Sequence, residues 1–297
     1  MDAADLKVFE TVARVGGITR AASVLNTVQS NVTARVRFLE EELGVPLFHR
    51  HSRGVTLTAA GQRLLPYATR VGQLLAEARR AVEDDGKPKG LLTLGSLETA
   101  AALRLPAILA GYAGAYPEVD LVLRTGTTQF LIDKVLRHEI DGAFVAGPVD
   151  HPDLDEEAVF REELVIVTAR SIRRLDELTR ISDLKILVFR AGCSYRQRLE
   201  AVLAIRGIVG LRQLEFGTLE AILGCAAAGI GISLLPRGVV EAAVRDGRVA
   251  VHELPSKEAS VETVFVRRRD AFVSSALDCF LRCARSHLPL PSANAAE

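Results

Sequence analysis

The segment from Thr19 to Leu43 limits what this chain can fold into more than any other, because it predicts two short helices joined by a tight turn. In the second helix five apolar residues recur at helical spacing and would form one stripe: Val28, Val32, Val36, Leu39 and Leu43. Small or hydrogen-bonding residues project from the other side: Ser30, Thr33, Ala34 and Arg37, with Gln29 at the exposed amino end. The segment by itself fits two interpretations, a helix that enters the major groove of DNA and an ordinary helix pair inside a core.

These residue types match the chemistry of base recognition. A glutamine amide can bond adenine in two places, serine and threonine hydroxyls can serve either base type, and arginine binds guanine or phosphate. The string HRHSRGVTLT that follows predicts a hairpin with its turn at Ser52, Arg53 and Gly54. Arg50 and Arg53 would lie at the tip of this wing, where they could reach phosphates or a narrow minor groove; the alternative is that both are simply solvated.

A long helix is predicted next, with Thr58 as its cap and its end near Asp85. Six residues at alternating spacings of four and three form a heptad stripe along it: Leu64, Ala68, Val71, Leu75, Ala78 and Val82. We interpret this heptad stripe as a contact between two copies of the chain; the alternative is that it packs on the chain's own body. Pro66 removes one helical hydrogen bond and should bend the helix. Residues 83–90, EDDGKPKG, then form a charged linker.

After the linker, short apolar runs alternate with helical patterns. The runs are Leu91–Leu94, Val119–Leu123, Ala143–Ala146, Leu164–Val167, Ile186–Phe189, Leu211–Phe216, Ile232–Leu235 and Val261–Val266. The helical stretches fall near 98–115, 128–138, 194–206, 218–228 and 271–286. This alternation predicts an α/β body with mainly parallel sheets, long enough to form two lobes.

Composition and missing motifs exclude several classes of protein. With 48% hydrophobic residues, 25% charged residues and a net charge of +0, the chain is typical of a folded globular protein. It has no apolar run long enough for a membrane span, and MDAADLKVFE is too acidic for a signal peptide, so a cytoplasmic location is expected. There is no Walker loop, no G-x-S-x-G elbow, and no metal-ligand spacing around His49 and His51. We therefore expect neither an enzyme nor a bound metal or cofactor.

The charges and cysteines add two further expectations. The first 89 residues carry a small basic excess and the remainder a matching acidic excess, which places positive charge beside the helix pair. The four cysteines are Cys193, Cys225, Cys279 and Cys283. They form no C-x-x-C pair, and we expect free thiols, with Cys279 and Cys283 packed one turn apart on a terminal helix.

Three strings resemble LysR-type transcriptional regulators: FETVARVGGITRAASVLNTVQSNVTARVRFLEEELGVPLFHRHSRGVTLTAAG, LLPYA on the long helix, and AAAGIGISLLP near the end of the second lobe. The resemblance covers the chain to about residue 287. It implies an α/β multidomain protein with an N-terminal winged helix-turn-helix, a dimerising linker helix and a C-terminal two-lobed, periplasmic-binding-protein-like effector domain. It also implies dimers paired into tetramers on an interrupted palindrome of double-stranded DNA. A small effector between the lobes would then change the bending of DNA and the access of RNA polymerase.

Carried onto this chain, the resemblance implies a DNA-binding domain at 1–58, a linker helix at 59–87 and an effector domain at 88–290. Lobe I would hold about 91–161 and 268–290, lobe II about 162–267, and 291–297 would be a disordered tail. The alternative from another class is a solute-binding or enzymatic α/β protein whose amino-terminal helices only dimerise.

The predicted DNA-contacting set is Thr19, Gln29, Ser30, Asn31, Thr33, Arg35, Arg37, Arg50 and Arg53. Thr19 is also a candidate cap for the first of the two short helices. Ala34 departs from the family pattern, where a larger polar residue is common, and this could change base preference. Val28 stands where a capping serine or threonine is common, so Thr27 is the alternative cap.

The predicted effector-binding set is Ser96, Glu98, Thr99, Thr125, Thr127, Thr128, Gly192, Cys193, Ser194, Tyr195, Gly217 and Thr218. Free backbone N–H groups at helix starts favour a carboxylate or another anion, so an anionic effector is expected. Glu98 opposes that expectation and would need Arg196 or Arg104 as a partner.

Cys193 also matches the neighbourhood in which peroxide-sensing members of the family carry a reactive cysteine. Arg190 and Arg196 beside it would lower the pKa of its thiol. Cys225 is the only candidate for a second cysteine in the same lobe, so an intrasubunit disulfide switch is not the favoured interpretation.

Overall fold

The computed structural model describes residues 1–51, 54–181, 183–189, 192 and 194–286. The chain divides into two compact units, Met1–Asp84 and a second unit that begins at Asp85. None of the described helices is long and apolar enough to cross a membrane.

The amino-terminal unit is a helix triad followed by a two-stranded wing and a long helix. Its elements are α1 Ala3–Val15, α2 Ile18–Val24, α3 Gln29–Leu43, β1 Phe48–His51, β2 Gly54–Leu57 and α4 Ala59–Glu83. The Asp2 and Asp5 carboxylates form a capping box at the start of α1, and Gly16 ends that helix in the left-handed conformation. Phe9, Val32 and Leu39 lie fully buried in the core that joins these elements.

Three predictions about α2 and α3 are wrong in detail. The stripe on α3 is shorter than predicted, because Val28 is 65% exposed and Leu43 is 38% exposed, while the three residues between them on the stripe are buried. Thr19 is not a cap, since α2 begins at Ile18 after Gly17. Thr27 does not cap α3 either: the cap position is Val28, which supplies no side-chain hydrogen bond.

Along helix α4, the two halves of the predicted heptad stripe differ in their exposure to solvent. Thr58 caps the helix as predicted by accepting a hydrogen bond from the Gly61 backbone, and Pro66 lies inside it. The first three stripe residues, Leu64, Ala68 and Val71, pack against the core of their own unit. This packing matches the alternative interpretation for these three residues, although only Ala68 is fully buried and Leu64 and Val71 are partly buried. The last three, Leu75, Ala78 and Val82, are exposed, Val82 by 88%.

Nine strands lie in the part of the second unit that the structure describes. They are β3 Gly90–Ser96, β4 Val119–Thr125, β5 Gly142–Ala146, β6 Leu154–Ala169, β7 Lys185–Phe189, β8 Arg212–Phe216, β9 Ser233–Pro236, β10 Val249–His252 and β11 Ser260–Arg268. Each of the eight predicted apolar runs overlaps one of these strands. The sequence interpretation missed β10 and the first half of β6, where charged residues alternate with apolar ones.

The helices of this unit also follow the prediction in part. They are α5 Glu98–Leu103, α6 Leu105–Ala115, α7 Thr128–Leu136, α8 Ser194–Ile205, α9 Leu219–Ala227, α10 Arg237–Arg245, α11 Ser256–Ala259 and α12 Ser275–Ser286, with a 3-10 turn at Leu175–Arg180. All five predicted helical stretches contain a helix. The predicted 98–115 stretch is two helices that meet at Arg104, and α10 and α11 were not predicted.

The sheets are mixed, so the prediction of mainly parallel sheets is wrong. Strand order is β10-β6-β11-β5-β3-β4, with β9 also on β6, and β7 pairs with β8. Only β3–β4, β3–β5 and β7–β8 are parallel among these pairings; every pairing of β6 or β11 is antiparallel. The antiparallel strands were not foreseen because a buried strand gives the same apolar run in either direction.

Two lobes share these long antiparallel strands. The amino-terminal part of β6 and most of β11 join the sheet of lobe I beside β5, while the carboxyl-terminal part of β6 pairs with β9 and β10 in lobe II. Separate apolar cores lie in lobe I, around Tyr112, Phe144 and Phe280, and in lobe II, around Ile186 and Leu199. The register of β6 and β11 shifts between Thr263 and Val264, between the two lobes.

Candidate functional site

Helix α3 presents a polar face that is available for contact. Gln29, Ser30, Asn31 and Arg37 are exposed, and Thr33 is half-buried. This face exists because Val32, Val36 and Leu39 hold the opposite side of the helix in the core. Ala34 is exposed in the same row and contributes only a methyl group.

Hydrogen bonds within the unit orient several of these side chains. The Thr19 hydroxyl donates to the Gln29 side-chain oxygen at 3.2 Å, which ties α2 to the start of α3. The Asn31 amide donates to the Thr27 hydroxyl at 2.9 Å, and the Thr33 hydroxyl donates to the Gln29 backbone carbonyl at 2.9 Å. Because the Thr19 bond uses the side-chain oxygen of Gln29, the amide N–H₂ of Gln29 is the group left to donate a hydrogen bond.

The guanidinium of Arg35 is paired with carboxylates of its own unit. Its Nη1 lies 2.8 Å from Oδ1 of Asp5, a carboxylate that is only 5% exposed, and 3.9 Å from Asp2. The interaction joins α3 to the capping box of α1. Arg35 is consequently a residue that positions α3, and its prediction as a DNA contact is not supported by this geometry. Arg37, two residues later, has no ion-pair partner within the described part of the chain.

The wing is fixed against the helices by backbone contacts. The Val55 N–H donates to the Gly16 carbonyl at 3.2 Å, and Gly54 adopts a positive φ of 137° where a Cβ would collide with that carbonyl. Arg50 is exposed on β1, with Nη2 3.7 Å from Oε2 of Glu40. Arg53, the other predicted wing residue, lies outside the described residues.

The second unit contains a cavity of about 700 Å³ between its lobes, at the carboxyl ends of β3, β4, β7 and β8. From the predicted set, its lining includes Glu98, Thr99, Thr125, Thr127, Ser194, Tyr195 and Gly217. Such a position, at strand ends and helix starts of an α/β protein, is where ligands bind in open sheets of this type.

The other predicted effector residues lie beside the cavity and hold its walls. Ser96 is fully buried and donates to the Leu97 carbonyl, Thr128 accepts from the Ala146 N–H at 3.4 Å, and Thr218 caps α9. A Cβ on Gly192 would lie 2.9 Å from the Thr127 hydroxyl, so this glycine lets the lobes approach closely. Cys193 and Arg190 lie outside the described residues.

One hydrogen bond crosses between the lobes inside the cavity. The hydroxyl of Thr99 in lobe I lies 3.4 Å from the hydroxyl of Tyr195 in lobe II, and both side chains are buried. This pair connects the start of α5 to the start of α8. A ligand that occupies the cavity would contact both lobes through these two hydroxyls.

The predicted partners of Glu98 are engaged elsewhere. The Arg104 guanidinium forms a bidentate ion pair with Glu162, with hydrogen bonds of 2.6 and 3.1 Å, and Arg196 donates to Glu200 at 3.2 Å. The prediction that one of them neutralises Glu98 is therefore wrong. The sequence interpretation also missed several lining residues, which lie directly after β3 and β4, on α7, and at the ends of β7 and β8: Leu97, Gly126, Phe130, Phe189, Glu215 and Phe216. Phe189, Glu215 and Phe216 fall in apolar runs that predicted core strands, and only the fold shows which of their side chains reach the cavity.

The described cysteines and histidines supply no competing site. Cys225 and Cys283 are half-buried and Cys279 is buried, all as free thiols. Within the described residues there is no group of three or more side chains that could hold a metal ion.

Comparisons with known proteins cover both units. Residues 3–62 match the profile of the bacterial regulatory helix-turn-helix protein, lysR family, and residues 85–289 match the LysR substrate binding domain. The chain is 45% identical over 285 residues to the HTH-type transcriptional regulator GltR of Bacillus subtilis (strain 168), covering 96% of each chain. It is 46% identical over 281 residues to the HTH-type transcriptional regulator YofA of the same strain, covering 95% of this chain and 97% of YofA.

Solved structures show the same arrangement of elements. Full-length CbnR in complex with its target DNA matches with a TM-score of 0.68 and 25% identity over 97% of this chain and 100% of CbnR. Full-length BenM matches in fold, with a TM-score of 0.55 and 22% identity over 96% of each chain.

Proposed function

The chain belongs to the LysR family of transcriptional regulators, and from that premise we propose which of its residues read DNA and which bind its effector. It is a DNA-binding regulator of transcription with an effector domain, and the family consists of regulators, not enzymes. The alternative of a solute-binding or enzymatic protein whose amino-terminal helices only dimerise is thereby set aside.

We propose that Gln29, Ser30, Thr33 and Arg37 on α3 contact base edges or phosphates in the major groove. The observation that carries this proposal is the division of α3 into a buried apolar side and an exposed polar side. Thr19 fixes the orientation of the Gln29 amide. Asn31 contributes at the edge of the same surface.

The wing supplies the second contact of this proposal. Arg50 would reach a phosphate from β1, and Arg53 completes the tip of the wing in the predicted set. Arg35 instead keeps α3 in place through Asp5.

The operator is proposed to be an interrupted palindrome bound by at least two copies of the chain. Leu75, Ala78 and Val82 are the exposed part of the heptad stripe and are proposed to contact a second copy, because the earlier half packs against the core of its own unit. Two α3 helices related by such a contact would read two half-sites. The proposed boundaries are a DNA-binding domain at 1–58, a linker helix at 59–87 and an effector domain at 88–290.

The cavity between the lobes is the proposed effector site. Thr99, Ser194 and Tyr195 come from both lobes, so a ligand that binds all three changes the relation between the lobes. We propose that this change is passed to the bound DNA and to RNA polymerase at the promoter. An effector can shift the equilibrium between two arrangements of the lobes only as far as its affinities for those two arrangements differ.

Gel-shift titration of the full chain with the DNA upstream of its own gene tests the DNA part of this proposal. Gln29→Ala should weaken specific binding by about 1–3 kcal/mol, because the base contact is lost, and leave the melting temperature unchanged. Gln197→Ala, an exposed glutamine on α8, is the matched control and should bind DNA normally. Equal affinity of the Gln29 variant and the parent chain would exclude Gln29 from base recognition.

A further inference from the structure

The effector cavity has acidic and aromatic walls, and this combination specifies a charge for its ligand. The carboxylates of Glu98, at the start of α5, and Glu215, in β8, both line it. The rings of Phe130, Phe189 and Phe216 line it as well. From the free N–H groups at helix starts, the sequence alone predicted an anionic effector. The side chains that line the cavity favour the opposite charge.

The described part of the lining contains no positively charged side chain to balance these carboxylates. Among the lining residues that the structure describes, none is a lysine, arginine or histidine. Of the arginines on adjoining elements, Arg104 is paired with Glu162 and Arg196 with Glu200, while Arg124, in β4, is exposed and is not part of the lining. Lys134, which lies 5.4 Å from the centre of the Phe130 ring, is paired with Glu139.

The backbone at the cavity contributes less than the side chains do. Helices α5, α7, α8 and α9 begin beside it, but the roughly half positive charge of a helix start acts only on a group directly at the terminus. Each carboxylate carries a full negative charge. A cationic group beside Glu98 and Glu215 is therefore favoured over an anion, while the helix starts leave room for a carboxylate elsewhere on the same ligand.

We propose that the effector carries a protonated nitrogen on an apolar body of about the size of an aromatic ring. Glu98 and Glu215 bind the nitrogen, and the phenylalanine rings contact the apolar body and attract the cation through their faces. Thr99 and Tyr195 also line the cavity, and their hydroxyls exchange hydrogen bonds with the remaining polar group of the ligand. This inference rests on the proposed function of the cavity as the effector site.

Three probes with one phenyl-ethyl skeleton test the charge requirement by calorimetry on the full chain. They are 2-phenylethylammonium, the neutral 2-phenylethanol and the anionic 3-phenylpropanoate. The ammonium probe should bind about tenfold more tightly than the neutral alcohol, and the carboxylate more weakly than either, because charge complementarity discriminates between them. N-acetylphenylalanine, which keeps ring and carboxylate but loses the charged nitrogen, should bind less tightly than phenylalanine.

Isosteric variants assign the effect to the two carboxylates. Glu98→Gln and Glu215→Gln should each lower the affinity for the ammonium probe about five- to tenfold and leave the affinity for the alcohol unchanged. Glu241→Gln, at an exposed glutamate on α10, is the control and should change neither. Retained binding to operator DNA shows that each variant is folded.

The outcomes separate this inference from the proposed function. Tightest binding by 3-phenylpropanoate, with Glu98→Gln and Glu215→Gln unchanged or improved, overturns the cationic effector but keeps the cavity as the effector site. No binding of the ammonium probe at millimolar concentration also overturns it, whatever the DNA titration gives. Failure of Gln29→Ala to weaken DNA binding would count against the proposed DNA contacts and leave the charge of the effector untouched.

Discussion

Helix α3 and the cavity between the lobes are both proposed binding surfaces, but the chain builds them in different ways. The polar face of α3 comes from fifteen consecutive residues, Gln29–Leu43, and one buried stripe is enough to decide which side chains point outward. The cavity is assembled from the ends of strands that lie more than a hundred residues apart, such as β3 and β8. A local surface is therefore visible in the spacing of residues, whereas an assembled one depends on which strands become neighbours.

The strongest test of this comparison substitutes neighbouring residues on the two sides of α3. Leu39→Ala should destabilise the amino-terminal unit by about 3 kcal/mol, because a fully buried leucine leaves a cavity in the core. Phe38→Ala, one position earlier, removes a larger side chain that is 55% exposed and should cost less than about 1 kcal/mol. Urea unfolding monitored by circular dichroism measures both. Similar losses for the two variants would contradict the assignment of the sides.

A second test separates the two arginines of α3. Arg35→Met should destabilise the amino-terminal unit by about 2 kcal/mol, because it leaves the buried Asp5 carboxylate without its partner. Arg37→Met should keep stability within about 0.5 kcal/mol and instead weaken DNA binding, with a salt dependence reduced by about one counterion if its contact is a phosphate. Thermal melting and salt-dependent titration measure the two effects. A stable Arg35 variant that has lost DNA affinity would return Arg35 to the DNA-contacting set.

These two arginines show where sequence reasoning stops. Periodicity predicted a helix with a polar side, and that was correct for Gln29, Ser30 and Arg37. It could not distinguish Arg35 from Arg37, because the partner of Arg35 is Asp5, thirty residues away on another helix. The same limit applies to the heptad stripe, whose spacing is uniform although only its first half packs against the core of its own unit.

The cavity shows the limit more strongly. The resemblance supplied Thr99, Ser194 and Tyr195, which do line it, since helix starts after strands can be located from the apolar runs. It could not supply Glu215 or Phe216, which lie within a predicted strand and reach the cavity only through the pairing of β7 with β8. The charge of the cavity consequently could not be obtained before its walls were assembled.

A third, smaller effect is expected at the contact between the lobes. Tyr195→Phe removes the hydroxyl that faces Thr99 and leaves a buried threonine with one partner fewer, which should cost about 1 kcal/mol in the second unit. Tyr67→Phe, at a tyrosine on α4 that is 68% exposed, is the matched control and should change stability by less than about 0.5 kcal/mol. Denaturant unfolding measures both. An unchanged midpoint for Tyr195→Phe would mean that this hydrogen bond does not hold the lobes.

The smallest expected effect concerns pH and is confined to the second unit. Burial lowers the pKa of His252 below its ordinary value, and the charge of Glu177 opposes this shift only in part. Nε2 of His252 lies 2.9 Å from the buried Thr168 hydroxyl. Above the unfolded pKa, near 6.5, the histidine is neutral in both states and stability is complete. As pH falls through that value the unfolded chain takes up a proton first, so stability is lost until the folded protein is protonated as well.

Unfolding midpoints measured between pH 7.5 and 5.5 should therefore decrease, in a range above the ordinary pKa values of carboxylates. His252→Gln removes the titrating ring, keeps a group that can bond Thr168, and should flatten this dependence. His49→Gln, at an exposed histidine on β1 in the other unit, should leave it intact. If the pH dependence survived in His252→Gln and disappeared in His49→Gln, the pH-sensitive group would lie in the amino-terminal unit. The assignment of the pH effect to the second unit would then be wrong.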